Sequence, residues 1–459
     1  MSFRRLLAVS LLFLVAISVT PVVAQQDSGF RHDRPFGTLR EQADLQQRWL
    51  QERLEVNLPA VMREQGVDMW VVPMREYNED PVFRALVSAT SFAARRRTIY
   101  VFFDRGEELG VERLALGGGS MGGLYEAYRA PQSTSLEGVQ AELWGSQQWS
   151  LLADVIRERD PQVIAVNAHA EHNFADGLTA AEWEQMREAI GENYVARVVR
   201  NPRVAIDYLA LRVPSMTPVY RKMQTYVHQI IATAFSNAVI TPGVTRTDEV
   251  AWWMRQRVHD LGFGTWFQPS VSVQRRGVSS SEMPANPVIE RGDLLHTDFG
   301  IYVMRMATDT QHMGYVLREG EFSAPEGLQI ALANANRFQD ILLEEMVPGR
   351  TGNEVLYETL EAMKAAGLDG TMYTHPIGDH GHGAGPLIGM WDYQEGVPGR
   401  GDVLVLANMW FSTELQVTTG IPEWDGQRVR MMLEEEAEVT VTGERRWSLR
   451  RQDEFHLIY

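Results

Sequence analysis

The 459-residue chain contains no cysteine. Disulfides, thiolate metal ligands and a thiol nucleophile are therefore excluded, and stability has to come from a packed core. Long apolar runs are also missing beyond the N-terminus, so no internal segment reaches the roughly 18 apolar residues that a membrane span needs. Tandem repeats and low-complexity tracts are absent too. Basic residues are in short supply, with 43 Lys and Arg against 60 Asp and Glu and a net charge of −17. That balance argues against nucleic acid as a partner. What remains is ordinary for a globular protein: 44% hydrophobic and 22% charged residues, in a length suited to two or three domains.

The first residues read as an export signal. MSFRR is a basic start, LLAVSLLFLVAISV an apolar core, and Val22 and Ala24 are the small residues before Gln25. Residues 1–24 are expected to be removed as a signal peptide, which predicts a periplasmic or secreted protein with no membrane association after cleavage. The loss of Arg4 and Arg5, with no acid, leaves a mature charge near −19. Residues 25–37 read as a loose leader.

From residue 38 the pattern alternates. Leu39, Leu45, Trp49, Leu50, Leu54, Leu58 and Val61 recur at near-helical spacing through residue 66. MWVVP (69–73), RRRTIYVFFD (95–104) and RLALGG (113–118) are short apolar strands, and 150–167 reads as a helix, a break at Pro161 and a strand. The expectation is an α/β N-terminal domain over 38–212. VPSMTP (213–218) marks a boundary. Beyond it, helices near 217–239, 325–345 and 352–367, a helix capped by Thr247 and stopped by Gly262, and a strand-rich remainder predict an α+β domain over 213–459.

Chemistry concentrates in the second part. LLHTDFGIYVMRMATDTQH carries Asp298 and Asp309, eleven residues apart, as a strand, a turn and a returning strand. That spacing lets two carboxylates face each other across a hairpin, where they repel unless a cation lies between them. GDHGHGAG sets His382 between glycines, and MWFSTELQV holds Glu414 in an otherwise apolar strand. In the EEE run at 434–436, strand parity puts Glu435 on the apolar face with Val429, Met431, Leu433, Ala437, Val439 and Val441. Glu435 is therefore read as inward, Glu434, Glu436 and Glu438 as a solvated face, with Glu434 the alternative donor. Four carboxylates and one imidazole form a hard, oxygen-rich set suited to two divalent ions.

The order Asp298, Asp309, His382, Glu414, Glu435, with RGDLLHTDFG, PGVTRTDE and GHGAG, resembles the pita-bread metallopeptidases: Xaa-Pro aminopeptidase, prolidase and methionine aminopeptidase, with creatinase as a relative. The resemblance covers about 214–459, and the preceding part is similar to a creatinase-type N-terminal domain. It implies those five residues as ligands to two Mn, Co, Zn or Fe ions, Glu414 as the proton carrier, short peptides or small amides as substrates, and a homodimer as an expected assembly. Family peptidases carry a histidine upstream of the GDL strand, where this chain has SVQRRGVSSSEMPANP, and another beyond the GHG run, where Trp391 stands. His312, His375 and His380 are candidate replacements, His380 being favoured as the donor to the oxyanion. Non-peptide amide hydrolysis, a lyase reaction and a non-catalytic binding role are the alternatives within this fold. GGSMG (118–122) also fits a nucleophile elbow at Ser120, but such an elbow needs a substantial helix after it.

Overall fold

The computed structural model describes residues 34–128 and 147–459. The export signal and most of the expected leader lie outside the described residues. The helical pattern of the first part forms Leu39–Glu52 and Leu58–Glu64, joined by a π-helical turn, Arg53–Asn57. Thr38 and Glu41 close the start as a reciprocal capping box. The next segments build a six-stranded sheet in the order β4–β3–β2–β1–β5–β6. Its strands are β1 (Met69–Arg75), β2 (Arg97–Asp104), β3 (Val111–Leu116), β4 (Glu126–Tyr128), β5 (Ile164–Val166) and β6 (Val198–Val199). Central β1 is buried from Met69 to Met74 because both faces are covered. Trp70 and Val72 join the core of the helices at 39–64, whereas Met69 and Val71 join Leu152, Val155 and Ile156 of helix Gln147–Arg159. GGSMG is the turn between β3 and β4; Ser120 is exposed there and a strand follows, not a helix, so the elbow reading fails.

The C-terminal part combines several small sheets with four long helices, Thr217–Ala234, Thr247–Asp260, Glu326–Glu345 and Gly352–Ala365. β7 (Ser270–Gln274), β8 (Leu294–Phe299), β11 (Thr310–Val316) and β19 (His456–Ile458) form one sheet, ordered β19–β11–β8–β7. The tip of the β8–β11 hairpin carries a small ladder of β9 (Tyr302–Val303) and β10 (Met306–Ala307). A second sheet joins β12 (Gly370–Met372), β15 (Leu415–Ile421) and β16 (Gln427–Leu433); a third joins β13 (His375–Pro376), β14 (Met409–Ser412), β17 (Glu436–Val439) and β18 (Arg445–Trp447). Alternation along β8 explains the layering: Leu294 packs with Leu328 and Leu332 of helix Glu326–Glu345, while Leu295 and Phe299 pack with Val227 and Ile231 of helix Thr217–Ala234. Helix Thr247–Asp260 begins with Thr247 inside it; the cap is the preceding Arg246, whose N–H donates to Glu249.

One irregularity positions the site. β14–β15 and β16–β17 are a single long hairpin, interrupted in its middle. Ser412 pairs with Glu436 below the gap and Leu415 with Leu433 above it, in one common register. The gap holds Thr413 and Glu414 opposite Glu435 and Glu434, respectively.

Candidate metal centre

The hairpin register sets the aspartates. Asp298 pairs with Gln311, so Asp309, two residues before Gln311, is its diagonal neighbour on the same face. The pair is thus brought together, diagonally rather than directly opposed. Across the interrupted hairpin, Glu414 and Glu434 face each other. A backbone bridge, Gln311 N–H to Glu434 carbonyl at 3.0 Å with the return bond at 3.2 Å, joins the two halves. Asp298, Asp309 and Glu434 thereby offer oxygens within 4.8 Å of one another, and a His375 ring nitrogen lies within the same distance of Glu414 and Glu434 oxygens.

Glu435 is a correction to the parity reading. Its Oε1 lies 2.7 Å from His312 Nε2 and its Oε2 3.0 Å from His228 Nε2, away from the aspartates. Glu434 takes the place beside them. Parity misled because both faces of this strand are buried: Glu434, Glu435, Glu436 and Glu438 are 1%, 1%, 2% and 4% exposed. Glu436 accepts the Asp309 N–H at 3.0 Å, and Glu438 pairs with Arg446 at 2.7 Å and with Arg221. An apolar face therefore carried no information about which glutamate meets Asp298 and Asp309.

The histidines are also redistributed. His375, fully buried on β13, has Nε2 at 3.4 Å from Glu434 and 3.8 Å from Asp309. Its Nδ1 lies 3.1 Å from the Pro376 carbonyl. A proton on Nδ1 satisfies that carbonyl and leaves the Nε2 lone pair facing carboxylate oxygens. His382 is exposed, its ring against those of His375 (4.8 Å between centroids) and Trp266 (5.2 Å), and among the described residues it shares a donor group with Asp309 and His375. His380 packs on Phe174 at 4.8 Å and belongs to no metal-type donor group among the described residues. Trp391 sits 46% exposed on the turn bridged by Met390 and Tyr393. The sequence signal for His375 was its apolar surroundings, Tyr373 to Ile377: an imidazole there needs a partner.

The loop carrying these histidines is held from the N-terminal part. The π-helical turn aims Arg53 at Asp379, with bonds of 2.8 and 3.2 Å, and Arg212 lies 3.2 Å from the same carboxylate. Gly381 packs so closely on Trp266 that a β-carbon there would fall 2.3 Å from the ring. The glycine beside His382 thus serves close packing as well as access.

The electrostatics point to a cation. Burial, and then the charge of Glu434, push Asp298 up to about 7 and Glu414 up to about 9, and raise Asp309 well above the carboxylate range. The Gln311 amide donates to Glu414 at 2.9 Å and Glu434 at 2.8 Å, and its carbonyl meets His296 Nε2 at 2.8 Å. That does not satisfy the cage. Asp298 Oδ1, Asp309 Oδ1, His375 Nε2 and Glu434 Oε1 are all buried without a hydrogen-bond partner. Four orphaned donor atoms of hard, metal-ligating type converge on one place.

The profile of metallopeptidase family M24 matches residues 220–442, the segment that carries every one of these donors. This segment is a divergent match to the pita-bread metallopeptidase family. No curated protein matches it in sequence. Among solved structures it is similar to an X-Pro aminopeptidase from Thermotoga maritima MSB8 (TM-score 0.56, 13% identity, covering 87% of this chain and 100% of that one). It is also similar to an Xaa-Pro dipeptidase from Bacillus anthracis (0.53, 17%, 90% and 100%). The N-terminal domain of the FACT complex subunit SPT16 from chickpea shares the architecture (0.52, 10%, 88% and 96%). At such identities these likenesses establish the fold, a mixed α/β N-terminal part followed by the pita-bread part. By the M24 family match, the protein is a metal-dependent hydrolase of the peptidase type.

Proposed function

We propose that the protein is an exported aminopeptidase- or dipeptidase-like hydrolase that uses two divalent metal ions to cleave short peptides, Xaa-Pro bonds among them. The observation that carries this reading is the convergence of the four orphaned donors, Asp298 Oδ1, Asp309 Oδ1, His375 Nε2 and Glu434 Oε1, next to Glu414. Asp298, Asp309, His375, Glu414 and Glu434 are the residues that would hold the ions. When bound, such ions acidify water and polarise a carbonyl. Glu414, held in the range of about 9 in the chain alone, is the proton carrier from water to the leaving nitrogen. His382, exposed and ring to ring with Trp266, borders the donor cluster through His375. Gln311 orients Glu414 and Glu434 through its two N–H bonds. The Xaa-Pro preference is supported by the named activities of the similar aminopeptidase and dipeptidase structures.

Metal analysis of the mature protein after incubation with Mn or Co is the first test, with about two ions per chain expected and fewer than about one contradicting the proposal. Xaa-Pro dipeptides, Xaa-Pro-Xaa peptides and non-peptide amides would then be offered to the loaded enzyme. Cleavage confined to the non-peptide amides would replace the peptidase reading while keeping the metal site.

A further inference from the structure

A second cluster of metal-type donors lies on the other side of the same strands. Neighbouring residues in an extended chain point to opposite faces. Gln311 and Glu434 turn toward Glu414; His312 and Glu435, the next residue along each chain, turn away from it. There Glu435 meets His312 and His228, the latter from helix Thr217–Ala234. All three residues are buried, and their nearest donor atoms lie within 4.8 Å of one another. His456 of β19 closes the group, its Nε2 3.1 Å from His312 Nδ1. Three elements distant in sequence thus deliver two imidazole nitrogens and a carboxylate to one point, and a fourth braces one of the imidazoles.

We propose that His228, His312 and Glu435 form a structural site for a zinc-type divalent ion, separate from the carboxylate-rich centre. The donor set is imidazole-rich, which suits Zn, in contrast to the oxygen-rich set in front of it. Ion–ligand distances of about 2.0–2.2 Å set two donors of a tetrahedral ion roughly 3.3–3.6 Å apart, so shifts of under about an ångström open the present contacts into a coordination shell. His312 would bind through Nε2 and donate its Nδ1–H to His456, the outer bond that commonly orients a ligating histidine. An ion here would pin helix Thr217–Ala234 to the junction that also holds Glu434. The competing account is a metal-free network in which each Glu435 oxygen accepts one imidazole N–H.

The full mature chain carrying Asp298→Asn and Asp309→Asn, which disables the front centre, would be stripped with chelator and titrated with zinc alone. The expected result is about one zinc equivalent per chain, with X-ray absorption showing two imidazoles on the ion. Adding His228→Gln should abolish that equivalent. No zinc retained by the folded double variant, or zinc with an all-oxygen shell, overturns the proposal. As a check independent of any variant, zinc-soaked crystals of the unaltered protein should give an anomalous peak between His228, His312 and Glu435. A peak only at Asp298 and Asp309 would refute the second site while supporting the first.

Discussion

Glu434→Gln and Glu435→Gln are adjacent, isosteric changes with opposite expected signatures. Glu434 is the second cause, after burial, of the raised positions of Asp298 (about 7) and Glu414 (about 9). The rise at Glu414 corresponds to roughly 6 kcal/mol between its protonation states. Burial takes the larger part, leaving about 1–2 kcal/mol to Glu434. In chelator, Glu434→Gln should therefore be slightly more stable than the unaltered chain, by about 1–2 kcal/mol and a few degrees in Tm at most. With manganese the order reverses. Saturating metal at about 1,000 times its Kd adds roughly 4 kcal/mol to the unaltered protein, and the variant forfeits most of that. Its kcat/KM should fall by about 1,000-fold or more, the equivalent of roughly 4 kcal/mol. Glu435→Gln instead breaks two contacts with buried imidazoles at 2.7 and 3.0 Å. It should cost about 3–5 kcal/mol with or without manganese. Thermal unfolding of both variants in chelator and in manganese, with peptide hydrolysis alongside, reads all four conditions. If Glu435→Gln stays folded and alone loses the manganese effect, the assignment of Glu434 to the aspartate centre is wrong.

Other expectations follow from the same geometry. Stability in chelator should fall as pH rises from about 4.5 to 9, because folded Asp298 (about 7), Asp309 (raised) and Glu414 (about 9) hold protons that the unfolded chain has released; saturating manganese should flatten the profile, and a chelator profile that rises over this range would contradict it. Glu435, held down at about 2 by His228 and His312 against the opposing effect of burial, contributes stability above pH 4.5 that is lost as pH falls toward 2, a loss that Glu435→Gln should remove from the acid unfolding curve. His375→Ala should lower bound metal and activity together, whereas His382→Ala should keep the metal and act through KM and kcat; equal metal loss in both would move His382 into the metal centre. Cell fractionation and N-terminal sequencing should find the protein outside the cytoplasm beginning at Gln25, and a cytoplasmic protein retaining its first residues would refute the export reading.

Much of the architecture was readable from local pattern. The 39–64 helical periodicity and the helix expected over 217–239, which ends at Ala234, rest on contacts within a few residues, and β1 shows as an unbroken apolar run, so composition and spacing carry them. Asp298 and Asp309 were readable for a similar reason: a hairpin is a short-range structure, and only their diagonal offset required the register. The fourth carboxylate, from the EEE run, was not. Parity assumes one wet face and one dry face, and the Glu434–Glu438 stretch has neither wet. The histidines depended on the fold in another way. His375, His380 and His382 lie within eight residues, and their directions depend on Pro376, on Gly381 against Trp266, and on Arg53 reaching Asp379 from a distant segment.

By itself the sequence determined the chemical inventory: no thiols, an acidic chain, hard carboxylates in strand settings, and an order of motifs that resembles one metallopeptidase family. Those properties survive any arrangement of the chain. Only the tertiary structure decided which glutamate and which histidine meet the aspartates, and that Glu435 turns to His228 and His312 instead. The physical reason is that each donor's direction is set by what covers it from remote elements: a helix on one face of a strand, a second hairpin on the other.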